Sequence, residues 1–191
     1  MTSVLKSRKT AVAITVALCA LFLVLGMNRS VSAQAAKYTR AFYEGVRVTD
    51  GDYTSAALAD ILDSCSTYAL TLSSIYADCP AVADEVDALT QARRSLVDAI
   101  EAKNIPAMYG AYRAVSAAAE TLESAAAGAD VSGIDRDKAA DAMGKLNSAI
   151  GAVQQNPYNQ YVEEYYSKVA NTLPMKIFGF AVLVDGPDFF A

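Results

Sequence analysis

Apolar residues recur along this chain at steps of three and four, the spacing that puts an apolar stripe on one side of a helix. Segment 36–46, AKYTRAFYEGV, keeps Tyr38, Ala41, Phe42 and Gly45 on one face, which predicts a first helix running straight out of the apolar run before it. The TDGD stretch at 49–52 is expected to stop that helix, with Asp52 capping the next. From 53 to 77 the positions Ala57, Leu58, Ile61, Leu62, Cys65, Tyr68, Ala69, Leu72, Ile75 and Tyr76 form a wide stripe. Pro80 then kinks or breaks the helix, and Asp78 is placed to cap a restart. Val82, Val86, Leu89, Ala92, Leu96 and Ile100 resume the pattern, with Asp84, Glu85, Asp87, Arg93 and Arg94 on the outer face.

KNIPAM marks a turn in which Asn104 is the N-cap and Pro106 falls in the first helical turn. Met108, Tyr112, Val115, Ala119 and Leu122 line the next helix, and the glycine- and aspartate-bearing stretch 125–135 reads as a loop. Ala139, Met143, Leu146, Ile150 and Val153 form a further stripe before Asn156-Pro157 interrupts. Beyond it, Tyr158, Tyr161, Val162, Tyr165 and Val169 share one face, while Glu163, Glu164 and Lys168 point away. Tyrosines at that spacing predict a core face whose hydroxyls reach the bundle edge. The set predicts an all-α fold, an up-and-down antiparallel bundle of about four long helices with short links and no repeat of solenoid period.

The start of the chain changes the setting. Lys6, Arg8 and Lys9 precede seventeen uncharged residues, 11–27. A spanning helix needs about 20 apolar residues and at least about 17, whereas a secretory signal has a shorter apolar core and a small-residue cleavage site. Thr10, Asn28 and Arg29 extend the run into the interface and favour an uncleaved transmembrane anchor. VSA at 31–33 and AQA at 33–35 are the competing cleavage patterns. Either way the basic start stays in the cytoplasm, the rest is exported, and a lipid bilayer around residues 11–27 is the first expected partner.

Composition then removes whole classes of chemistry. The chain has 53% hydrophobic residues, with 10 glycines and 5 prolines, which suits helices. It contains no histidine, so it has no imidazole base or metal ligand. Beyond residue 29 it holds 12 basic and 21 acidic residues, an acidic surface that excludes nucleic acid as a partner. Cys65 and Cys79 would lie about 21 Å apart along one helix and read as small buried thiols. The acidic groups Asp50 with Asp52, and Asp135, Asp137 and Asp141, offer calcium-type oxygens but fit helix capping better. Adjacent Glu163 and Glu164 diverge on a helix, and no nucleophile elbow, Ser-x-x-Lys or phosphate loop occurs. No catalytic, cofactor-binding or metal-binding residue is assigned.

The last stretch, KIFGFAVLVDGPDFFA at 176–191, is apolar but too broken to span a bilayer. Ile177, Phe178, Phe180, Val182 and Val184 are expected to dock on the bundle, with Gly179 allowing a turn; the competing reading is a partner-binding or membrane-touching segment. The expected organisation is a basic start and signal-anchor over 1–30, an extracytoplasmic helical bundle over 31–174 and a docked tail over 175–191.

One resemblance bears on the whole. Tyr158-Asn159, Val162, Tyr165 and Val169, followed by Leu173-Pro174, FGF at 178–180 and Phe189-Phe190, resemble the final helix and tail of the LemA family. QARRSLVDAI at 91–100 resembles that family's alanine-arginine stretch. This chain departs from the pattern where Tyr166 stands in place of a second asparagine, and in 60–77, which lacks the family's leucine-proline-asparagine motif. The resemblance implies a membrane segment ahead of an outward-facing helical bundle. The expected function is a non-catalytic interaction scaffold of the bacterial envelope with another envelope or membrane protein as partner. A secreted helical protein and an envelope enzyme using carboxylate or serine chemistry are the alternatives.

Overall fold

A computed structural model of the chain describes residues 8–45, 55–129, 131 and 133–191. The fold is all-α, as the spacing predicts, with no strand among the described residues. Helix α1 runs over Arg8–Glu44, α2 over Leu58–Tyr76, α3 over Ala83–Glu101, α4 over Ile105–Gly128, α5 over Arg136–Gln154, α6 over Tyr158–Tyr165 and α7 over Leu173–Phe178. Short 3₁₀ turns occupy Pro80–Val82 and Gly179–Ala181, and a π-helical turn over Tyr166–Ala170 extends α6. Two compact units form: a terminal unit of Met1–Thr39 with Val162–Pro187, and a bundle unit of Arg40–Tyr161 with Asp188–Ala191. This grouping joins segments that a linear division at residues 30 and 174 keeps apart.

In the bundle unit α3 packs along both α2 and α4, and α2 packs along α5. Helices α4 and α5, although consecutive, meet at few positions. The stripes of α4 and α5 are buried at every position expected of them, from Met108 to Leu122 and from Ala139 to Val153. Helix α2 is buried at Leu58, Leu62, Cys65, Ala69, Leu72 and Tyr76, but Ile61, Tyr68 and Ile75 are only half-buried. Ser66 and Ser73 take the remaining inner positions. A serine is tolerated there because its polar groups are matched: Ser73 Oγ donates to the Ala69 carbonyl at 2.9 Å. The Ser66 carbonyl accepts from Arg93 Nε at 3.2 Å. Arg93 is thus turned toward α2 rather than standing on the outer face. A carbonyl within reach of the guanidinium outweighs the free solvation expected from spacing alone.

Several helix ends differ from expectation. Gly45, not the stretch 49–52, terminates α1: its φ of 85° is left-handed, and its N–H donates to the Ala41 carbonyl at 3.1 Å. A side chain at Gly45 would collide with the Ser55 carbonyl. Asp50 and Asp52 lie outside the described residues, and α2 starts at Leu58 after Ala57. Pro80 gives a break with one 3₁₀ turn, and neither that turn nor α3 receives a side-chain cap, so Asp78 plays no such part. Helix α4 persists to Gly128, shortening the loop expected over 125–135. Asn104 does cap α4, accepting from the Ala107 N–H at 3.0 Å, and Asp135 caps α5 through Lys138 N–H at 3.1 Å.

In the terminal unit, the apolar run of α1 and its continuation behave differently. None of residues 11–27 is buried, whereas Val31, Ala35 and Tyr38 are, at helical spacing. Tyr38 meets Tyr165 edge-on, with ring centres 5.3 Å apart. Val162 and Tyr165 are buried and Val169 is half-buried. Tyr161, expected on the same core face, is also half-buried, because its angular position puts it at the margin of the stripe. After Tyr165 the helix widens, and the Asn171 N–H donates to the Tyr166 carbonyl at 2.9 Å, closing the π-turn.

A pair of substitutions tests the bundle core. Leu96 is fully buried and Leu70 is 45% exposed. Leu96→Ala is expected to cost about 2–5 kcal/mol, and Leu70→Ala to stay within about 0.5 kcal/mol. Urea unfolding of the full chain in detergent micelles measures both, with midpoints compared where the slopes agree.

Candidate functional site

The densest cluster of unusual side chains in the bundle unit is aromatic. The end of α1 supplies Phe42 and Tyr43, α4 supplies Tyr109 and Tyr112, α6 opens with Tyr158, and the last residues bring in Phe190. Phe42 stands edge-on to Tyr158 at 5.1 Å, and Tyr109 stands edge-on to Phe190 at 5.1 Å. Phe190 also lies 5.9 Å from both Phe42 and Tyr112. The helical pattern accounts for most of this. Tyr112 lies on the α4 stripe, Tyr158 follows the Asn156-Pro157 break, and Phe42 sits one turn beyond Tyr38 in α1.

What holds the last residues is hydrogen bonding to backbone. Asn159 Nδ2 donates to the Phe190 carbonyl at 2.7 Å, and its Oδ1 accepts from the Phe190 N–H at 2.9 Å. One amide side chain thereby satisfies both polar groups of one residue, as a neighbouring strand would. Tyr158 Oη donates to the Asp188 carbonyl at 2.8 Å. In the terminal unit, Tyr166 Oη donates to the Pro187 carbonyl at 3.2 Å. Gly186 allows that approach, since an added Cβ would stand 2.7 Å from the Tyr166 hydroxyl.

The tail is therefore secured at positions other than those expected. Pro187 and Phe190 are buried, whereas Ile177 and Phe180 are exposed and Val182 and Val184 are half-buried. Backbone capture by Asn159 and Tyr158, which a hydropathy pattern does not register, selects the contact.

Beside Phe190 lies a cleft of about 380 Å³ whose walls include Tyr109, Arg113, Gln154, Asn156 and Asn159. Arg113 stacks on Tyr109 and donates to its hydroxyl at 3.3 Å. Two phenols of the aromatic cluster, Tyr112 and Tyr43, resist ionisation. Burial is the main cause for Tyr112, with the Gln154 hydrogen bond acting in the opposite sense; Tyr43 is raised by burial and by the charge of Asp188. Phenols and primary amides both donate and accept hydrogen bonds, and here Tyr158 and Asn159 hold the chain's own backbone at Asp188 and Phe190. No family model, curated protein or solved structure matches this chain.

Of the acidic groups singled out in the sequence, those among the described residues are placed as helix-end and surface charges. Asp135 pairs with Lys138 at 3.0 Å, and that side chain and the Lys138 N–H hold its carboxyl below the usual range. Asp141 pairs with Lys145 at 2.6 Å and Glu164 with Lys168 at 2.5 Å; Asp137 and Glu163 are exposed. Among the described residues no three acids or cysteines gather as metal ligands. Cys65 and Cys79 are buried free thiols, and burial pushes Cys65 up to about 12. Asn159 and Phe190 were legible only as parts of a resemblance. The available signal was an amide-bearing residue in a tyrosine-rich helix and an aromatic pair far down the chain.

Two expectations follow. Asn159→Ala removes both bonds to Phe190, so exchange of the Phe190 amide hydrogen should accelerate about tenfold or more, read by exchange mass spectrometry. Tyr112 has its folded pKa raised above the ordinary 10.0. Its contribution to stability is complete below that ordinary value and is lost as pH rises through the raised one. Alkaline unfolding profiles should therefore fall less steeply above about pH 10 in Tyr112→Phe than in the parent.

Proposed function

We propose that the chain is a single-pass membrane protein of the bacterial envelope, a divergent LemA-like helical bundle that acts as an interaction scaffold rather than as an enzyme. The observation that carries this reading is α1. It is one unbroken helix of 37 residues whose apolar stretch is long enough to cross a membrane and has no buried residue. A soluble core helix of that hydropathy would bury one face. The basic residues Lys6, Arg8 and Lys9 before the run favour a cytoplasmic N-terminus and an extracytoplasmic bundle.

Retention of the anchor has separate support. Cleavage after Ala33 or Ala35 would remove Val31, which is buried, and Asn28, whose side chain bonds residues 181 and 183. The LemA-like reading draws support from Tyr158-Asn159 and Phe189-Phe190. Motif residues far apart in the chain meet through the Asn159–Phe190 bonds and the Tyr158–Asp188 bond. The scaffold reading draws support from how the polar candidates are used. Asp135 is engaged in capping, and Asp135, Asp141 and Glu164 each have a lysine partner.

Topology and partnership are tested together. A reporter active only outside the cytoplasm, fused after Ala191, should give signal, and a cytoplasm-dependent reporter should not. Intact mass spectrometry should find the chain uncut, and a mature start at Gln34 or Ala36 would establish the secreted alternative. Affinity capture of crosslinked full-length protein from detergent-solubilised membranes should retain a stoichiometric membrane partner. Hydrolase activity of the purified chain that requires Asp135 or Asp141 would overturn the scaffold reading.

A further inference from the structure

The most exposed large apolar side chains among the described residues are not on the apolar run of α1. Leu183 is 91% and Phe180 87% exposed, against 69% for Phe22, the most exposed large apolar residue of that run. Leu173 and Ile177 are exposed as well, at 71% and 53%. Leu173, Ile177 and Phe180 are spaced four and three apart, so α7 and the 3₁₀ turn after it present them on one side. Lys176 is exposed beside them. Water is a poor solvent for such a patch, and patches of this kind mark a surface that something apolar covers.

The structure also fixes the level of this patch along α1. Asn28 is the first residue after the run 11–27, and its Nδ2 donates to the Ala181 carbonyl at 3.1 Å. Its Oδ1 accepts from the Leu183 N–H at 2.9 Å. All these residues belong to the terminal unit. At about 1.5 Å rise per residue, Asn28 sits within a fraction of a turn of the end of the apolar run. Phe180 and Leu183 flank a backbone held at the depth where α1 passes from apolar to polar sequence, and Arg29 stands exposed at the same level.

We propose that residues 173–183 form an interfacial hook: Leu173, Ile177, Phe180 and Leu183 enter the headgroup-proximal layer of the same bilayer that α1 crosses, with Lys176 and Arg29 at the phosphates. The occupant of the patch is lipid, because the patch continues the lipid-facing surface of α1. The amphipathic character of the segment, apolar on one side and cationic beside it, is that of an interfacial helix. Asn28 is then the joint between span and hook. Its amide holds the Ala181 carbonyl and the Leu183 N–H, fixing the hook's backbone to the end of the span. The inference rests on the membrane-spanning reading of α1, and the test separates the two.

The chain has no tryptophan, so a single introduced one reports its own surroundings. Full-length Phe180→Trp, Leu183→Trp and Phe22→Trp variants would be reconstituted in vesicles of phosphatidylethanolamine and phosphatidylglycerol. The lipids would carry bromines either near the headgroup or near the chain end. The first two positions are more than four-fifths exposed, so the fold accommodates the change. Phe180→Trp and Leu183→Trp should lose fluorescence about twofold with headgroup-proximal bromines and less with deep ones, and should be shielded from acrylamide. Quenching of Phe22→Trp alone, with the other two open to acrylamide, leaves the span standing and overturns the hook. Blue-shifted emission at 180 and 183 without bromine quenching means that protein covers the patch, which also overturns it. Absence of quenching at Phe22→Trp removes the span itself, and the hook with it.

Discussion

Two asparagine side chains carry the constraint on which the arrangement of the last ten or so residues depends. After the 3₁₀ turn at Gly179–Ala181 the chain is irregular, and its backbone N–H and carbonyl groups have no ladder of their own. Asn159 supplies both partners of Phe190 in the bundle unit, and Asn28 supplies partners for residues 181 and 183 in the terminal unit. A primary amide is suited to this because it donates and accepts from one rigid plane. Aspartate at either position could accept but not donate, and would leave a carbonyl without its partner.

The aromatic residues act on the same segment by a different force. Phe42, Tyr109 and Tyr112 surround Phe190 with edge-on and tilted contacts, and Tyr158 stands edge-on to Phe42. Their hydroxyls do not face an apolar interior unmatched: Tyr112 Oη donates to the Ile150 carbonyl at 3.3 Å and Tyr158 Oη to Asp188. The Tyr112 bond joins α4 to α5, two helices that otherwise touch sparsely. Tyrosine rather than phenylalanine at these two positions supplies a donor to a backbone carbonyl of another segment. Tyr166 donates its hydroxyl to the Pro187 carbonyl, the one backbone polar group a proline has, and Gly186 provides the room.

The distribution of polar and apolar groups separates what the body needs internally from what it presents outward. Among the described residues the candidate carboxylates are solvated, paired with lysine or used as caps, which places them in the ordinary electrostatics of helix ends. The Cys65 and Cys79 thiols are buried and Cys65 is held protonated. Among the described residues the apolar surface left uncovered is confined mainly to the apolar run of α1 and to residues 173–183, both in the terminal unit. On the proposed reading these are one lipid-facing surface.

The sequence by itself determined the helices and their inner faces. Periodicity is a local property, and each stripe from Met108 to Leu122 and from Ala139 to Val153 needed no knowledge of its partner to be recognised. It also determined the unbroken run of α1 and the cap at Asn104, since both depend on residues within one or two turns. Only the tertiary structure decided that α5 pairs with α2 rather than with α4, that Arg93 turns inward to Ser66, and that Tyr161 lies at the margin of its stripe. It alone decided that Phe190 docks while Phe180 and Leu183 stay exposed. Hydropathy states what a side chain prefers, but which residue satisfies a given backbone group depends on segments more than a hundred residues apart, and Asn28 meets Leu183 only once the chain has folded.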